Sequence, residues 1–444
     1  MQPTLFNLFL LLGLFGPLAL AAPTAHIQKR SFKVGRVRNV AFKGHNGPRQ
    51  LLKAYRKYRM PLPPALLDAI KNQPDEEVTA EDVITKAKGN RPNGRPRPTG
   101  FGSKGNGTGS DAANITGVGL VSATPEKGDV EYLSPITIGG QTVNVDFDSG
   151  SADLWVFNTQ LGAAATSGHT LYNPMRSSTF KMLPGATFEI KYGDGSGAAG
   201  NVGTDTVDVG GVVVKNQAVE LATDVTQSFI DDAANNGLLG LAFSQLNTVQ
   251  PQQQKTFFDN VLPSLAEPLF TADLRKGTAG AYEFGRIDAT KFTGDMTWIP
   301  VDTANGFWQF PTAGFAVGGD GTNLQQTQTA AAIADTGTTL MLVSQDVADG
   351  YYSQVDGAEN NAQVGGITIP CDAALPDLFV DVGGVYTARI KGEDINFARV
   401  QGNICFGGVQ PTTSELQIWG DIFFKSQFVA FNAGNNTLGM ALHV

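Results

Sequence analysis

The chain has 444 residues and a formal net charge of −9; Gly, Thr, Val and Phe are prominent and Lys is scarce. Its length admits two or three domains with an ample core, and outside the N-terminus no run reaches the roughly 18 apolar residues of a membrane-spanning helix. Charge is unevenly spread. Residues 22–115 hold 18 Lys and Arg against 7 Asp and Glu, a net +11, which leaves −20 on residues 116–444. Opposite signs on two parts of one chain suit a basic segment that covers an acidic body, and they argue against nucleic acid as the partner of the basic part.

The first element in chain order is an apolar run from Leu5 to Leu20, closed by Ala19-Leu20-Ala21. It reads as a secretory signal over residues 1–21, although its start lacks Lys or Arg. The C-terminus shows neither a lipid-anchor tail nor an ER-retention signal, so the expectation is an exported, extracellular protein without a membrane partner. Residues 22–115 have the layout of a propeptide. They carry the dibasic pair Lys29-Arg30, a predicted strand over 32–37, and a predicted helix over 51–58 that ends before Pro61. The stretch 90–109, rich in Gly, Pro, Arg and Asn, has almost nothing to bury and is expected to lack a fixed fold. The body should begin near residue 116. Asn106, Asn114 and Asn435 stand in glycosylation sequons.

From about residue 130, short apolar runs separated by Gly, Asn and Asp clusters predict an all-β body. Asp194-Gly195, between Ile190 and Gly197, marks a hairpin. Two stretches then stand out. Val145-Asp146-Phe147-Asp148-Ser149-Gly150-Ser151 and, 187 residues on, Ile333-Ala334-Asp335-Thr336-Gly337-Thr338 each set an Asp between an apolar strand and a hydroxyl-Gly-hydroxyl tripeptide. One such Asp would be read as a turn residue; two with matching flanks suggest a pair of carboxylates kept ionised inside apolar surroundings by nearby donors. Each is followed by an apolar-apolar-Gly element. Gly240 falls 92 residues after Asp148, and Gly420 falls 85 after Asp335. The repeat predicts two lobes related by a pseudo-twofold axis, residues 116–305 and 306–444, with the Asp turns meeting in the cleft.

Elimination narrows the chemistry. Of four histidines, His26 and His45 precede the body; His169 reads as a surface-loop residue and His443 lies one residue from the end. No His-Glu-x-x-His or Cys/His cluster offers a metal site, no Gly-x-Ser-x-Gly elbow is present, and no Gly loop with Lys suits phosphate. Neither metal nor organic cofactor is called for. Cys371 and Cys405, in an exported chain, favour one disulfide over two free thiols, contributing roughly 3–5 kcal/mol. Carboxylate chemistry remains. Glycosidases hold their two carboxylates about 5–9.5 Å apart in unlike settings, whereas near-identical flanks here suit a close pair that shares one proton.

Together, Asp148-Ser-Gly-Ser-Ala-Asp-Leu-Trp-Val, Tyr192-Gly-Asp-Gly-Ser, Gly237-Leu-Leu-Gly-Leu-Ala-Phe, Asp335-Thr-Gly-Thr-Thr and Gly420-Asp-Ile-Phe-Phe resemble the pepsin-like aspartic endopeptidases, most of all the secreted fungal acid proteases of the aspergillopepsin and penicillopepsin kind. The resemblance spans about residues 130–444 and implies a bilobal all-β fold whose cleft takes protein and peptide substrates in extended form. It implies that Asp148 and Asp335 are catalytic, that Ser151 and Thr338 hydrogen-bond to them, and that Ser149 and Thr336 brace the two turns. Gly150 and Gly337 would meet substrate through their backbones, with Gly193, Ser196, Phe229 and Leu238 lining the binding cleft. Tyr192 resembles the flap tyrosine, Trp155 its partner, and Asp194 the acid associated in fungal relatives with accepting Lys before the cut. Cys371 and Cys405 match the C-terminal-lobe disulfide. Ser149 stands where Thr is usual, Trp419 where a smaller aliphatic is usual, and Asn236 where Asp is common. Ala54-Tyr55-Arg56-Lys57-Tyr58 resembles the inhibitory propeptide segment, with Lys57 on the dyad, Tyr58 beside it, and Lys53 and Arg56 as solvated charges. The resemblance further implies a monomer, made as a self-inhibited zymogen and sensitive to pepstatin-type inhibitors. A pepsin-fold binding protein without activity is the alternative; the intact Asp pair and Tyr192 argue against it.

Overall fold

The computed structural model describes residues 31–34, 46–72, 118–125, 131–191 and 197–444. The predicted signal, the 90–109 stretch and the predicted start of the body near 116 lie outside these residues, as do Tyr192, Gly193, Asp194 and Ser196.

Strands dominate, and alternation explains them. In Gln141–Asp148, Val143, Val145 and Phe147 point inward and are buried, the period-2 pattern of a strand with one apolar face. The strand closes a two-residue hairpin with Tyr132–Ile138 in which Ile138 faces Gln141. Gly139 and Gly140 take φ of +53° and +80° at that turn, values that a β-carbon would oppose. The strands Lys181–Lys191 and Gly197–Val209 pair up to Lys191 and Gly197; the Asp194-Gly195 signal between them lies outside the described residues.

The internal repeat appears as one strand motif built twice. Gln141–Asp148 runs parallel to Gly237–Gly240, Asp148 beside Gly240, and Gly237–Gly240 is antiparallel to Leu154–Val156. In the second copy Gln325–Ala334 runs parallel to Leu416–Trp419, which is antiparallel to Met341–Val343. The glycines are needed by packing. A β-carbon on Gly240 would lie 2.6 Å from the Ala152 Cα, and one on Gly420 2.5 Å from the Leu340 carbonyl oxygen.

A sheet joins the two halves. Val118–Pro125, Leu269–Arg275, Thr278–Phe284, Phe292–Pro300, Gln427–Asn432 and Thr437–His443 pair side by side. It carries an aromatic core in which Phe270 stacks on Phe431 at 4.4 Å and Phe147 lies 4.9 Å from Tyr282. The molecule is thus an all-β, bilobal, pepsin-like fold. Trp419 fills the second lobe, fully buried and edge-on to Phe310 at 5.0 Å. Cys371 and Cys405 form a disulfide. No helix among the described residues is long and apolar enough to cross a membrane.

Among the described residues, two helices precede the body. Helix α1, Gly47–Lys57, starts earlier than the sequence predicts because Asn46 caps it, its side chain accepting from the Arg49 N–H at 3.1 Å, with Pro48 in the first turn. It ends with Arg56 and Lys57, cations that suit a helix C-terminus. Gly47, Leu51, Ala54 and Tyr55, spaced at helical intervals, are buried against the body. Helix α2, Pro64–Asn72, buries Leu66 and Ala69 beside Gly365. The predicted strand over 32–37 is Ser31–Val34, paired with Val118–Pro125.

Candidate active site

Each Asp sits at the tip of its strand motif, and the motif fixes the loop that follows. The Asp148 carbonyl accepts from the Leu241 N–H at 2.7 Å, and the Asp335 N–H donates to the Trp419 carbonyl at 3.1 Å. The two loops meet back to back. The Ser149 Oγ accepts from the Thr336 N–H at 2.9 Å and donates to the Ala334 carbonyl at 2.9 Å; the Thr336 Oγ1 accepts from the Ser149 N–H at 3.0 Å and donates to the Phe147 carbonyl at 2.6 Å. All four residues that make this lattice's donors and acceptors are buried, so each bond is shielded from water and its loss would leave an unpaired polar group.

The lattice brings the Asp148 and Asp335 carboxyls within hydrogen-bonding reach of each other, both fully buried. Ser151 Oγ donates to Asp148 Oδ2 at 2.6 Å, and Thr338 Oγ1 donates to Asp335 Oδ2. The Gly150 and Gly337 N–H groups donate to the inner oxygens at 2.8 and 3.0 Å. Both glycines are required for the approach: a β-carbon on Gly337 would collide with the Asp148 carboxyl, and one on Gly150 with Asp335 and the Tyr58 hydroxyl.

Into this pair helix α1 delivers Lys57. Its Nζ lies 2.7 Å from Asp148 Oδ1 and 2.9 Å from both Asp335 oxygens, and the Tyr58 hydroxyl donates to Asp335 Oδ2 at 2.5 Å. The Lys57 side chain is 5% exposed. Burial works against its ammonium, but the two carboxylates outweigh burial and hold it above the usual lysine range. Burial likewise raises Asp148 above the ordinary carboxylate value, against the pull of Lys57. For Asp335 burial is outweighed by Lys57 and by bonds from Asp148, Thr338 and Tyr58, and its value is lowered. The Tyr58 ring packs edge-on to Phe307 at 5.8 Å.

The rest of α1 is held as firmly. Gln50 accepts from the Thr339 hydroxyl at 3.0 Å, and the Tyr55 hydroxyl donates to the Pro411 carbonyl at 2.6 Å. Lys53, expected to be a solvated charge, instead reaches Glu131 at 3.4 Å, which also accepts from Asn235 at 3.1 Å and contacts Asp146 and Asp232. Sequence reasoning missed this buried acidic cluster; its one signal is that Lys53 precedes Lys57 by four residues and so shares its face of the helix. His169, expected in a surface loop, is half-buried: it stacks on Phe157 at 3.8 Å, with its ring nitrogens 3.1 and 3.2 Å from the Asn235 and Ile230 carbonyls.

Trp155, Phe229 and Leu238 come together in one apolar cluster of the first lobe, with Phe229 on helix α3, Gln227–Asp231, edge-on to Trp155 at 4.8 Å. No group of three or more potential metal ligands is found among the described residues.

Two buried carboxyls braced at a lobe interface, each at the end of a repeated β motif, define an acid–base hydrolase of the aspartic type. The chain belongs to the eukaryotic aspartyl protease family, whose sequence model matches residues 131–443, and its class is that of an aspartic endopeptidase. It is 44% identical to an aspergillopepsin A-like aspartic endopeptidase of Aspergillus fumigatus over 99% of both chains. It is 49% identical to penicillopepsin-1 of Penicillium rubens, over 74% of this chain and 82% of that one, and 46% identical to aspergillopepsin-1 of Aspergillus flavus, over 74% and 81%.

Proposed function

We propose that the protein is a secreted acid endopeptidase, made as a self-inhibited zymogen, that cleaves internal peptide bonds with a water activated between Asp148 and Asp335. One observation carries the reading: the Lys57 ammonium sits between the two carboxyls, 2.7 Å from Asp148 Oδ1 and 2.9 Å from both Asp335 oxygens. That point is where a water would have to sit to hydrogen-bond to both acids.

With Lys57 gone, two adjacent carboxyls hold one proton between them. The ionised member takes a proton from the water as it attacks the peptide carbon, and the protonated member gives its proton to the carbonyl oxygen. The tetrahedral product then collapses, and the amine leaves with a proton returned by the pair. Ser151 and Thr338 orient the outer oxygens, while Ser149 and Thr336 keep the two loops from parting. An extended peptide lies along the cleft between the lobes, with Phe229, Leu238 and Trp155 forming the apolar wall on one side and Asp194 favouring Lys before the cut.

Residues 22–115 act as the propeptide, exported behind a signal at 1–21 and lost near 116. The pH direction follows from the two acids that α1 holds low, Asp335 against Lys57 and Glu131 against Lys53. A carboxylate with a depressed value stabilises the clamped state above its ordinary value, and that stability is lost as pH falls through the depressed one. Acid therefore opens the cleft.

The test is a jump of the purified full-length chain from neutral to about pH 3.5, below the upper value of such a pair, following mass and cleavage of a denatured protein. Loss of the N-terminal segment with activity in wild type, and neither in Asp335→Asn, is expected. A folded wild-type chain that cuts nothing at any acid pH and ignores a pepstatin-type inhibitor would refute the reading in favour of a binding protein.

A further inference from the structure

Asp153 closes the loop that begins at Asp148, and it lies inside the first lobe against Glu220 on the strand Val212–Val225. Both are 1% exposed and within hydrogen-bonding reach of each other. Asp153 Oδ1 accepts from Asn247 Nδ2 at 3.0 Å, the Thr248 N–H at 2.8 Å and the Thr248 hydroxyl at 3.0 Å; Glu220 Oε1 accepts from the same Asn247 amide at 3.2 Å. The second oxygen of each, Asp153 Oδ2 and Glu220 Oε2, is buried and meets no donor among the described residues. No Lys, Arg or His among those residues forms an ion pair with either acid, and Asp148, which also acts on Asp153, has its own sign.

Two facing carboxyls so buried cannot both be ionised, because neither water nor a cation offsets the repulsion. One proton between them turns the repulsion into a short O–H···O bond of the strong, charge-assisted type. We infer that Asp153 and Glu220 share a proton, and that this proton positions the loop carrying Asp148 and Ser151 and sets the upper pH limit of the active fold. The inference rests on the assignment of Asp148 to the reaction. The link to the loop is direct: Asn247 also holds the Ala152 carbonyl at 3.2 Å, the Asp153 carbonyl accepts from the Gly240 N–H at 2.9 Å, and Ser151 accepts from Ala242 at 2.9 Å. Trp155, two residues on, pairs with Glu220 in register. Deprotonation sends the proton to solvent and drives the loop away from the strand it is built on.

The sign is fixed by burial, the largest influence on both groups, which raises each above the ordinary carboxylate value. A raised value gives stability that is complete at acid pH and lost as pH climbs through it. In Glu220→Gln an amide N–H donates to Asp153 at every pH, and Asp153→Asn does the same from the other side. Urea unfolding of the full-length chain carrying Asp335→Asn, which is expected neither to convert nor to cut, read by tryptophan fluorescence between pH 4 and 7, stands apart from the protease reading. With both acids intact, the unfolding constant should grow by about a further factor of ten per pH unit, between the ordinary carboxylate value and the pair's raised one, relative to Glu220→Gln. The alkaline limb of the activity profile, each enzyme normalised to its own maximum, should move to higher pH in the variant, because the proton that titrates is replaced by an amide that does not. Unchanged slopes and limbs in both variants overturn the inference, and so does failure of both to fold at pH 4, where the amide should reproduce what the proton does.

Discussion

Replacing Lys57 with Met tests the clamp most directly, because it keeps an unbranched stem of similar length and removes only the charge. Lys57 makes three short contacts to two buried carboxyls and is itself 5% exposed. Removing one partner of such a buried pair costs about 3–5 kcal/mol, or about 10²- to 10³·⁵-fold in the equilibrium between clamped and open states. The acids recover part of this by taking up a proton, so the figure is an upper bound. If one proton opens the wild-type clamp, the same energy corresponds to about two to three and a half pH units. We therefore expect the pH of half-conversion of the full-length Lys57→Met chain to rise by at least about one unit. Its affinity for a pepstatin-type inhibitor near pH 5.5 should rise with the fraction of open molecules. Mass spectrometry after timed acid exposure and a binding titration measure the two. A folded Lys57→Met chain with the wild-type conversion pH and the wild-type affinity would show that Lys57 does not hold the cleft shut.

Two further substitutions probe the site itself. Gly337→Ala should keep the fold but lower kcat by at least about 100-fold, since its β-carbon enters the Asp148 carboxyl and misplaced catalytic groups lose about that much; circular dichroism with peptide-cleavage kinetics checks both halves. Ser149→Ala leaves the buried Thr336 N–H and Ala334 carbonyl without that hydroxyl, which should destabilise the chain by about 1–3 kcal/mol. Urea unfolding would show it, and a change under about 0.5 kcal/mol would mean that the loops hold together without the brace.

Much of the fold was legible because it is written in local rules. Short apolar runs set off by Gly, Asn and Asp announced an all-β body, and the repeat of strand, Asp turn and apolar-Gly element announced two lobes before any strand was paired. The carboxylates were legible for the same reason: an Asp with a hydroxyl on either side of a glycine is a local pattern, and its second copy made it conspicuous. Helix α1 was read one turn short. The apolar spacing begins at Leu51, but the boundary belongs to the Asn46 cap and Pro48.

Other features were not written locally. Apart from its place four residues before Lys57, nothing around Lys53 distinguishes it from a solvated lysine; its partner Glu131 lies 78 residues away and becomes an acid in the protein interior only when the chain closes. His169 does lie in a loop, but its half-burial was not legible, because only the fold brings Phe157 beneath its ring. Neither Asp153 nor Glu220 stands out in the sequence as one of a pair, and only the parallel pairing of Leu154–Val156 with Val212–Val225 sets them face to face without a cation among the described residues. The sequence by itself determined which residues could turn, alternate and cap, and therefore the strands, the repeat and the identity of the Asp pair. Tertiary structure alone decided which charges share a buried space, because burial and Coulomb interaction depend on distance through space, and the chain brings together there residues that its order keeps far apart.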